Sequence, residues 1–391
     1  MTFNVDPHGS DRLVSLLVGP DRAEELKQTS GGFPSLTLSQ RQMCDLELLL
    51  NGAFTPLTGF MGQAAYLSVL DTLSLPDGNL WPVPIVLDVS EPIADKLAPG
   101  MQIALRDNEG VMPAVLTVEA IWRPDREHEA QQVYGTQDTA HPGVRYLMNS
   151  VNPVYLGGRI EGVQAPMHHD FETLWDSPEE MRGLFHKLGW RQVVAFQTSK
   201  PMLRLQREIT LKVAKELQAH ILLHPTVGVT KPGDLQYYAR VHCYQAIRRY
   251  FPHNLAMLSL LPLAMRMAGP REALWHAIVH QNYGCSHMIV GPKHAGPPTM
   301  ENEDLPLYDA AASRALIEQH ESRLQIQVVH VEAHRYVPAR QRFMGVSEIE
   351  QRGLEGVEYT DAQLKRDLAL GEEPPEWFSY PEVVAELRNA C

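Results

Sequence analysis

The second half of the chain gives the strongest constraint on the fold, because short apolar runs alternate there with windows of helical composition. The apolar runs are "QVVAF" (192–196), "HILLHP" (220–225), "LAMLSLL" (255–261), "HMIVG" (287–291) and "IQVVHV" (326–331). The helical windows lie near 172–188, 201–218, 234–250, 270–283 and 309–321. Apolar strands separated by helices are typical of a parallel sheet covered on both faces. The pattern therefore predicts an α/β domain that binds its ligand at the carboxyl ends of the strands.

The regions on either side of this pattern differ from it. Short β-type runs separated by turn signals predict a β-rich N-terminal domain; they are "WPVPIVLDV" (81–89), "QIALRD" (102–107) and "AVLTVEAIW" (114–122). After about residue 332, helical segments at 361–371 and 382–387 predict a small C-terminal lobe that closes over the sheet. The predicted boundaries are 1–165, 166–331 and 332–391.

Charge and composition limit the kind of partner. The 391 residues carry a formal net charge of -13, which argues against a general binder of nucleic acids or anionic membranes. No apolar run approaches the roughly 18 residues of a membrane span. The scattered cysteines, Cys44, Cys243, Cys285 and Cys391, show no metal-type pairing. We expect a reduced, cytoplasmic protein whose partners are small molecules.

The first candidate loop lies in "VVAFQTSKPMLRLQREI" (193–209). The residues delivered to the sheet edge are Gln197, Thr198, Ser199 and Lys200. Pro201 suits a first helical turn, and free backbone N–H groups at a helix start attract anions. Lys200, Arg204 and Arg207 are spaced to form one basic face near that start. The pattern predicts a phosphate site, or alternatively a plain turn whose polar residues cap the helix beside a solvated basic face.

The second candidate loop lies in "HMIVGPKHAGPP" (287–298). Gly291 and Gly296 allow a backbone to approach a ligand closely, while Lys293 and His294 supply a cation and a proton donor. The alternative is a Gly/Pro-rich loop with an exposed lysine. The residues leave both interpretations open.

Histidine pairs give two weaker signals. His276 and His280 stand at i and i+4 in "MAGPREALWHAIVHQNYGCSH" (267–287), a spacing that could bind a metal ion. No third ligand has a convincing spacing, so a packing role is favoured for at least one of them. "MHHD" (167–170) is a similar, weak signal. We predict no metal site built from protein residues.

Several long segments resemble the ATP sulfurylase (sulfate adenylyltransferase) family, and the likeness covers nearly the whole chain. They are "GAFTPLTGFMG" (52–62), "LPDGNLWPVPIVLDV" (75–89), "HPTVGVTKPGD" (224–234), "LLPLAMRMAGPREALWHAIVHQNYGCSHMIVG" (260–291) and "PPEWFSYPEVV" (374–384). The resemblance is greatest to the fungal and bifunctional forms. It implies an N-terminal β-rich (PUA-like) domain, a Rossmann-like nucleotidyltransferase domain with a parallel sheet, and a small C-terminal α/β lobe.

The resemblance also implies a reaction and a site. The family joins ATP and sulfate to give adenosine 5′-phosphosulfate and pyrophosphate, usually with Mg²⁺ and usually as a homo-oligomer, without a tightly bound cofactor. Spacing and resemblance together assign nucleotide and anion binding to Gln197, Thr198, Ser199, Lys200, Arg207, Gly291, Lys293, His294, Ala295, Gly296 and Val329.

Two family motifs are altered in this sequence. The first is Gln-Thr-Arg-Asn-Pro followed by two histidines, and the second is Gly-Arg-Asp-His-Ala-Gly. The departing residues are Ser199, Lys200, Leu203 and Gln206 in the first motif, and Pro292 and Lys293 in the second. Lys200 and Lys293 are new cations relative to the family. With His294, they are the candidate catalytic residues.

The altered motifs leave three hypotheses open. A serine cannot replace a bidentate guanidinium, and a leucine offers no donor. Since losing one such donor costs roughly 10²–10³ in rate, we expect sulfate activation to be weak or absent. The chain is an adenylyltransferase with an altered anion site, a catalytically silent paralogue that acts as a nucleotide-binding, regulatory or scaffold subunit, or a conventional sulfate adenylyltransferase.

Overall fold

A computed structural model describes residues 5–297, 308–309 and 311–390. Within these ranges the chain forms a mixed sheet, a parallel sheet and a two-stranded hairpin. No described helix combines the length and the apolar character needed to cross a membrane.

The N-terminal region contains the mixed sheet, in the order β1-β4-β5-β6-β2, with β3 also paired to β6. Its strands are β1 Ser35–Thr37, β2 Gly59–Phe60, β3 Leu87–Val89, β4 Gln102–Arg106, β5 Ala114–Trp122 and β6 Val154–Gly162. Its helices are α1 Pro20–Thr29, α2 Gln40–Leu50, α3 Gln63–Thr72, α4 Glu91–Ala94, α5 Arg126–Tyr134 and α6 Pro142–Asn149. The predicted run 81–89 is a strand only at its end, because Pro82 and Pro84 lack the N–H that a sheet ladder requires.

The second region contains the parallel sheet, in the order β11-β10-β7-β8-β9. Its strands are β7 Val193–Phe196, β8 His220–Leu223, β9 Ala256–Leu258, β10 His287–Val290 and β11 Gln327–His330. Its helices are α7 Pro178–Leu188, α8 Arg204–Leu217, α9 Tyr237–Arg248, α10 Pro270–Asn282 and α11 Ala312–His320. The predicted Rossmann-like fold is confirmed. The order reverses between β7 and β10, so the loops after these two strands border the crevice where such sheets bind ligands.

The C-terminal region is an α/β lobe, as the resemblance implies. Its elements are β12 His334–Val337, β13 Arg342–Gly345, α12 Val346–Gln351, α13 Asp361–Leu370 and α14 Pro381–Ala390. The composition alone indicated the last two helices and gave no sign of the hairpin. Helix α14 packs on α9, where Val383 and Leu387 share one apolar cluster with Val241 and Ile247. This packing anchors the lobe to the parallel-sheet region.

Candidate functional site

Two loops meet at the reversal of strand order: residues 197–203 after β7, called the first loop, and residues 291–296 after β10, called the second loop. Helix α8 begins at Arg204 and not at Pro201, because Gln206 caps it. The Oε1 atom of Gln206 accepts a hydrogen bond of 3.0 Å from the amide of Leu203. Lys200 therefore lies outside the helix, and the predicted basic helical face from Lys200 to Arg207 is wrong.

The two arginines of α8 are occupied away from the second loop. Arg204 Nε donates to Glu208 Oε1 at 3.1 Å. Arg207 Nε donates to the carbonyl of Tyr250 at 3.0 Å, and its guanidinium lies 5.7 Å from the Phe251 ring centroid. The structure does not bring the Arg207 side chain to the predicted anion site, because the segment after α9 holds it.

The two candidate lysines are exposed. The Lys200 side chain is 56% exposed, and its Nζ lies 2.5 Å from Oδ2 of Asp361, the first residue of α13. Lys293 is exposed too, and no described carboxylate forms an ion pair with it. The structure thus directs Lys200 to the C-terminal lobe and leaves Lys293 in solvent.

Gln197 is at the buried base of the first loop. It is 3% exposed, and one atom of its side-chain amide lies 2.9 Å from Thr226 Oγ1 and 3.4 Å from His276 Nε2. Its other amide atom is buried and has no partner among the described residues. A buried polar atom without a partner is costly, and at a sheet edge it is a place where a ligand could bind.

The backbone of the first loop is held by a buried arginine that the sequence did not single out. Arg240 on α9 is 2% exposed, and its Nη1 donates to the carbonyls of Ser199 and Thr226, each at 2.7 Å. Thr198 adds a backbone tie, since its carbonyl accepts from the amide of Thr226 at 3.1 Å. The Thr198 hydroxyl also accepts from the Lys200 amide at 3.1 Å. The loop is therefore fixed mainly through its main chain.

His294 of the second loop is partly exposed and joins a chain of buried side chains. Its Nε2 lies 2.9 Å from Nδ1 of His276, and Nε2 of His276 lies 3.4 Å from Oε1 of Glu272. Glu272 also accepts hydrogen bonds from the amides of Arg266 and Ala268, each at 2.8 Å. Burial opposes its ionisation, but these hydrogen bonds and the contact with His276 prevail and lower the pKa of Glu272. The carboxyl is thus an anion that only accepts.

The electrostatic surroundings favour a neutral His294. Burial lowers its pKa well below the usual value, and nearby positive charge, including that of Lys231, lowers it further. Burial likewise lowers the pKa of Lys231, and Lys200 contributes in the same direction. Lys231, on the loop after β8, is thus a cation near both loops that our sequence reasoning missed. A signal was present, because β8 is the neighbour of β7 and ends at the same sheet edge.

The other histidine signals have structural partners. His280 Nδ1 lies 2.8 Å from the carbonyl of His276, and its Nε2 lies 3.3 Å from Nδ1 of His224. Burial lowers the pKa of His280 to about 3 and that of His224 well below the usual range. In the "MHHD" segment, His168 stacks on Trp175. The described residues contain no group of three His, Cys, Asp or Glu that could hold a metal ion.

The backbone of the second loop leaves space at its ends. A Cβ added at Gly291 would meet nothing within 4 Å, and one at Gly296 would meet nothing nearer than 3.7 Å. Ala295, with φ of 55°, is in the left-handed region that favours glycine, and its carbonyl accepts from the amide of Gly269 at 3.1 Å. The open glycine positions fit a cradle that a ligand could enter.

The edge strand β11 completes the rim. Val329 pairs in register with Ile289 of β10, and it is partly buried. The adjacent His330 has a buried Nε2 atom without a partner in the described ranges, and its proximity contributes to the low pKa of His294. The sheet thus brings Val329 close to the second loop.

A cavity of about 280 Å³ separates the first loop from the C-terminal lobe. Three positions that we predict to depart from the family pattern, Lys200, Leu203 and Gln206, line one side of it. Tyr336 and Trp377, whose rings stack at 4.6 Å, line it from the lobe. The cavity is apolar for the most part, but charged side chains from both sides also line it: Lys200, Asp234, Arg335, Glu358, Asp361 and Lys365.

These features define an α/β protein whose ligand site lies at the reversal point of a parallel sheet. Comparison with known proteins identifies the particular family. The ATP-sulfurylase family model matches residues 172–390, and the model of a PUA-like domain matches residues 5–165. The chain belongs to the ATP-sulfurylase family.

Individual relatives match over almost the whole chain. The sulfate adenylyltransferase of Schizosaccharomyces pombe is 45% identical over 371 residues, which are 94% of this chain and 75% of the relative. That of Gibberella zeae is 44% identical over 98% of this chain and 67% of its own length. A solved structure, the "Hexameric APS kinase from Thiobacillus denitrificans", has a TM-score of 0.80 and 33% identity, over 98% of this chain and 68% of that one.

Proposed function

We propose that the chain binds ATP between the first and second loops and transfers its AMP group to an oxyanion, with weak or absent activity on sulfate. An oxygen of the acceptor attacks the α-phosphorus, and the bond to the bridging oxygen breaks. The products are a mixed anhydride of AMP with the acceptor and pyrophosphate. The observation that carries the proposal is the unpartnered amide atom of Gln197 beside the buried chain of His294, His276 and Glu272.

Catalysis of such a transfer is mainly positioning and electrostatic stabilisation. Lys231 is a cation close enough to the buried side of the site for its charge to affect His294. The open positions at Gly291 and Gly296 give the phosphates room to approach backbone amides. Lys200 and Lys293 contribute only if their side chains turn from solvent towards the triphosphate.

The altered first loop supports a change of acceptor. Leu203 provides no hydrogen-bond donor, and with Gln206 it borders the cavity of about 280 Å³. A tetrahedral sulfate fills only a small part of such a volume. The cavity therefore gives room to a larger oxyanion that carries an apolar group.

Magnesium and oligomerisation are further parts of the proposal. Mg²⁺ enters as part of the ATP complex, bound to the phosphate oxygens. The solved relative from Thiobacillus denitrificans is named as hexameric, which favours a homo-oligomer for this chain as well. Light scattering after gel filtration measures the oligomeric state. We also keep the expectation of a cytoplasmic location.

Pyrophosphate release tests the activity. The purified chain is incubated with ATP, Mg²⁺ and a panel of sulfate, inorganic phosphate, aryl sulfonates and phosphonates. We expect turnover with an oxyanion larger than sulfate and weak turnover with sulfate. If no member of the panel leads to pyrophosphate release at high enzyme concentration, the proposal is contradicted. Efficient turnover with sulfate supports the conventional activity that the names of the relatives suggest.

A restoration variant tests the motif assignment. The changes are Ser199→Arg, Leu203→His, Gln206→His, Pro292→Arg and Lys293→Asp, made together and in the two loops separately. We expect the combined variant to gain sulfate-dependent turnover, because the guanidinium and imidazole donors return to an intact fold. No gain over the wild type would show that the positions are wrongly matched to the motifs.

A catalytically silent, nucleotide-binding subunit is the second candidate. The ion pair of Lys200 with Asp361 and the exposure of Lys293 favour it, because both new cations are directed away from the buried residues. Calorimetric titration with ATP and with adenosine 5′-phosphosulfate separates the candidates. Tight binding without turnover supports the silent subunit.

A further inference from the structure

The hydrogen-bond contacts of Glu272 determine where the protons lie in the buried chain. Glu272 is fully buried, accepts from two backbone amides and is ionised, so it can only accept. Its Oε1 faces Nε2 of His276 at 3.4 Å. A lone pair on that nitrogen would repel the carboxylate, so Nε2 of His276 carries a proton.

The protonation of His276 then fixes the tautomer of His294. A second proton on the ring would create an imidazolium that is entirely removed from water, which is costly. Nδ1 of His276 therefore carries a lone pair and no proton, and it accepts a hydrogen bond from Nε2–H of His294 at 2.9 Å. His294 is neutral, so its Nδ1 also carries a lone pair and no proton. No described residue hydrogen-bonds to that Nδ1 atom.

The same proton decides the orientation of the Gln197 amide. The two ends of an amide have nearly the same shape, and its hydrogen bonds determine which end is which. The end that lies 3.4 Å from Nε2–H of His276 and 2.9 Å from Thr226 Oγ1 must be the carbonyl oxygen. The NH₂ group then takes the buried position that has no partner among the described residues. Gln197 thus presents two donors there.

We propose that Glu272 is a positioning residue that, through His276, makes His294 a hydrogen-bond acceptor and Gln197 a hydrogen-bond donor towards the ligand. His294 Nδ1 then takes an O–H or N–H group, which in a nucleotide belongs to the nucleoside. Gln197 takes a phosphate oxygen. The role of His294 as an acceptor replaces the proton-donor role that the sequence predicted. The part of the inference that concerns the ligand depends on the proposed binding of ATP.

Nitrogen-15 NMR of histidine-labelled full-length protein measures the tautomers directly. The signals of His294 are assigned by their absence from a His294→Ala spectrum. We expect the wild type to show His294 almost entirely as the neutral Nε2–H tautomer at pH 7.5. A His294 ring with a proton on Nδ1, or a doubly protonated His276, overturns the inference whether or not ATP binds.

Variants test whether Glu272 is responsible. In Glu272→Gln we expect His294 to become a mixture of tautomers, and the affinity for ATP to fall roughly tenfold. Since this change also touches the turn at Arg266 and Ala268, His276→Asn is the second variant, and circular dichroism checks that each one folds. Glu129→Gln is the matched control, because it alters a buried carboxyl of the N-terminal region. An unchanged His294 tautomer in folded Glu272→Gln contradicts the inference.

Binding of separate ligand parts tests the division of roles. The probes are ATP, adenosine and inorganic tripolyphosphate. We expect His294→Ala to weaken the binding of ATP and of adenosine and to change the affinity for tripolyphosphate by less than about twofold. We expect Gln197→Leu to weaken the binding of ATP and of tripolyphosphate. If His294→Ala weakened the binding of tripolyphosphate as much as that of ATP, His294 would be a hydrogen-bond donor to the phosphates, and the inference would be overturned. If the wild type binds none of the probes, the proposed function fails, and the tautomer measurement still decides the inference.

Discussion

The first and second loops end neighbouring strands of one sheet, yet they are held in different ways. The first loop is fixed through its main chain by Arg240, and its Lys200 side chain reaches the lobe at the surface. The second loop is fixed by the His294 side chain, which contacts His276 inside the protein. The first loop is therefore held mainly through its main chain, and the second loop through the side chain of His294.

This difference matches part of the predicted departures from the family motifs, since Lys200 and Lys293 are exposed whereas Ser199 is buried. The matching residues Gln197 and His294 contact buried side chains, so their replacement would leave interior polar groups unpaired. Lys200 and Lys293 are exposed, and their replacement disturbs little of the interior. The two loops thus have a buried half, whose side chains are paired in the interior, and an exposed half, whose side chains lie at the surface.

The largest predicted effect concerns acid and the buried His280 of α10, which lies one turn from His276. Burial lowers the pKa of His280 from 6.5 to about 3. Below pH 6.5 the unfolded chain binds a proton at His280 that the folded chain does not bind, so stability falls as the pH falls from 6.5 towards 3. At about 1.36 kcal/mol per pKa unit, the total is roughly 4–5 kcal/mol, of which about 2 kcal/mol is lost by pH 5.

Urea unfolding at pH 7.5 and pH 5 measures this dependence. We expect His280→Gln to lose less stability on acidification than the wild type, because its amide does not titrate. His253→Gln, which changes an exposed histidine, serves as the control and should keep the full dependence. If the wild type and His280→Gln lost the same unfolding free energy between pH 7.5 and pH 5, His280 would not be the source of the acid sensitivity.

The next effect concerns the first loop. Arg240→Met removes the donor shared by the carbonyls of Ser199 and Thr226 and leaves both buried carbonyls unpaired. We expect a loss of about 2–4 kcal/mol in urea unfolding. Arg248→Met, on the exposed side of the same helix, should change the stability by less than about 0.5 kcal/mol. Similar losses for both variants would show that the main chain of the first loop does not depend on Arg240.

The strands and helices around these loops could be predicted because their apolar patterns are local. The run at 287–291 became β10, and the window at 270–283 became α10 almost unchanged. The start of α8 was missed by three residues, since a proline permits a helix start at 201 but the Gln206 cap fixes it at 204. Local composition identifies an element more reliably than it identifies the end of that element.

The contacts of the site could not be predicted in the same way. Lys200 pairs with Asp361, a residue of the lobe that is 161 positions away, so its direction depends on how the lobe packs. The pairing of His276 with His294 joins a helix to a loop, and the helical spacing of His276 and His280, which favoured a packing role for at least one of them, gave no sign of it. The sequence placed Gln197 and His294 at one sheet edge, but the partner of each comes from another element. The three domain boundaries stay a prediction.

A smaller effect concerns the backbone hydrogen bond between the start of α10 and the second loop. Gly269, the N-cap of α10, has φ of 52°, and an added Cβ would lie 2.5 Å from the ring of Tyr308. We expect Gly269→Ala to cost about 1–2 kcal/mol in urea unfolding and to weaken ATP binding, because the amide of Gly269 holds the carbonyl of Ala295. Gly31→Ala, with open space around its Cβ, is the control. No change in either quantity would show that the second loop is independent of this tie.

The smallest effect concerns the ion pair between the first loop and the lobe. Asp361→Asn removes the partner of Lys200 at an exposed position, where such pairs contribute less than about 1 kcal/mol to stability. The freed ammonium can then turn towards a triphosphate, so we expect ATP to bind about two- to fivefold more tightly in calorimetry at low salt, with the gain lost at high salt. Lys365→Gln, a charge change on the same helix, should not strengthen binding. If Asp361→Asn leaves the ATP affinity unchanged, Lys200 does not reach the nucleotide, and the exposed half of the site takes no part in holding the triphosphate.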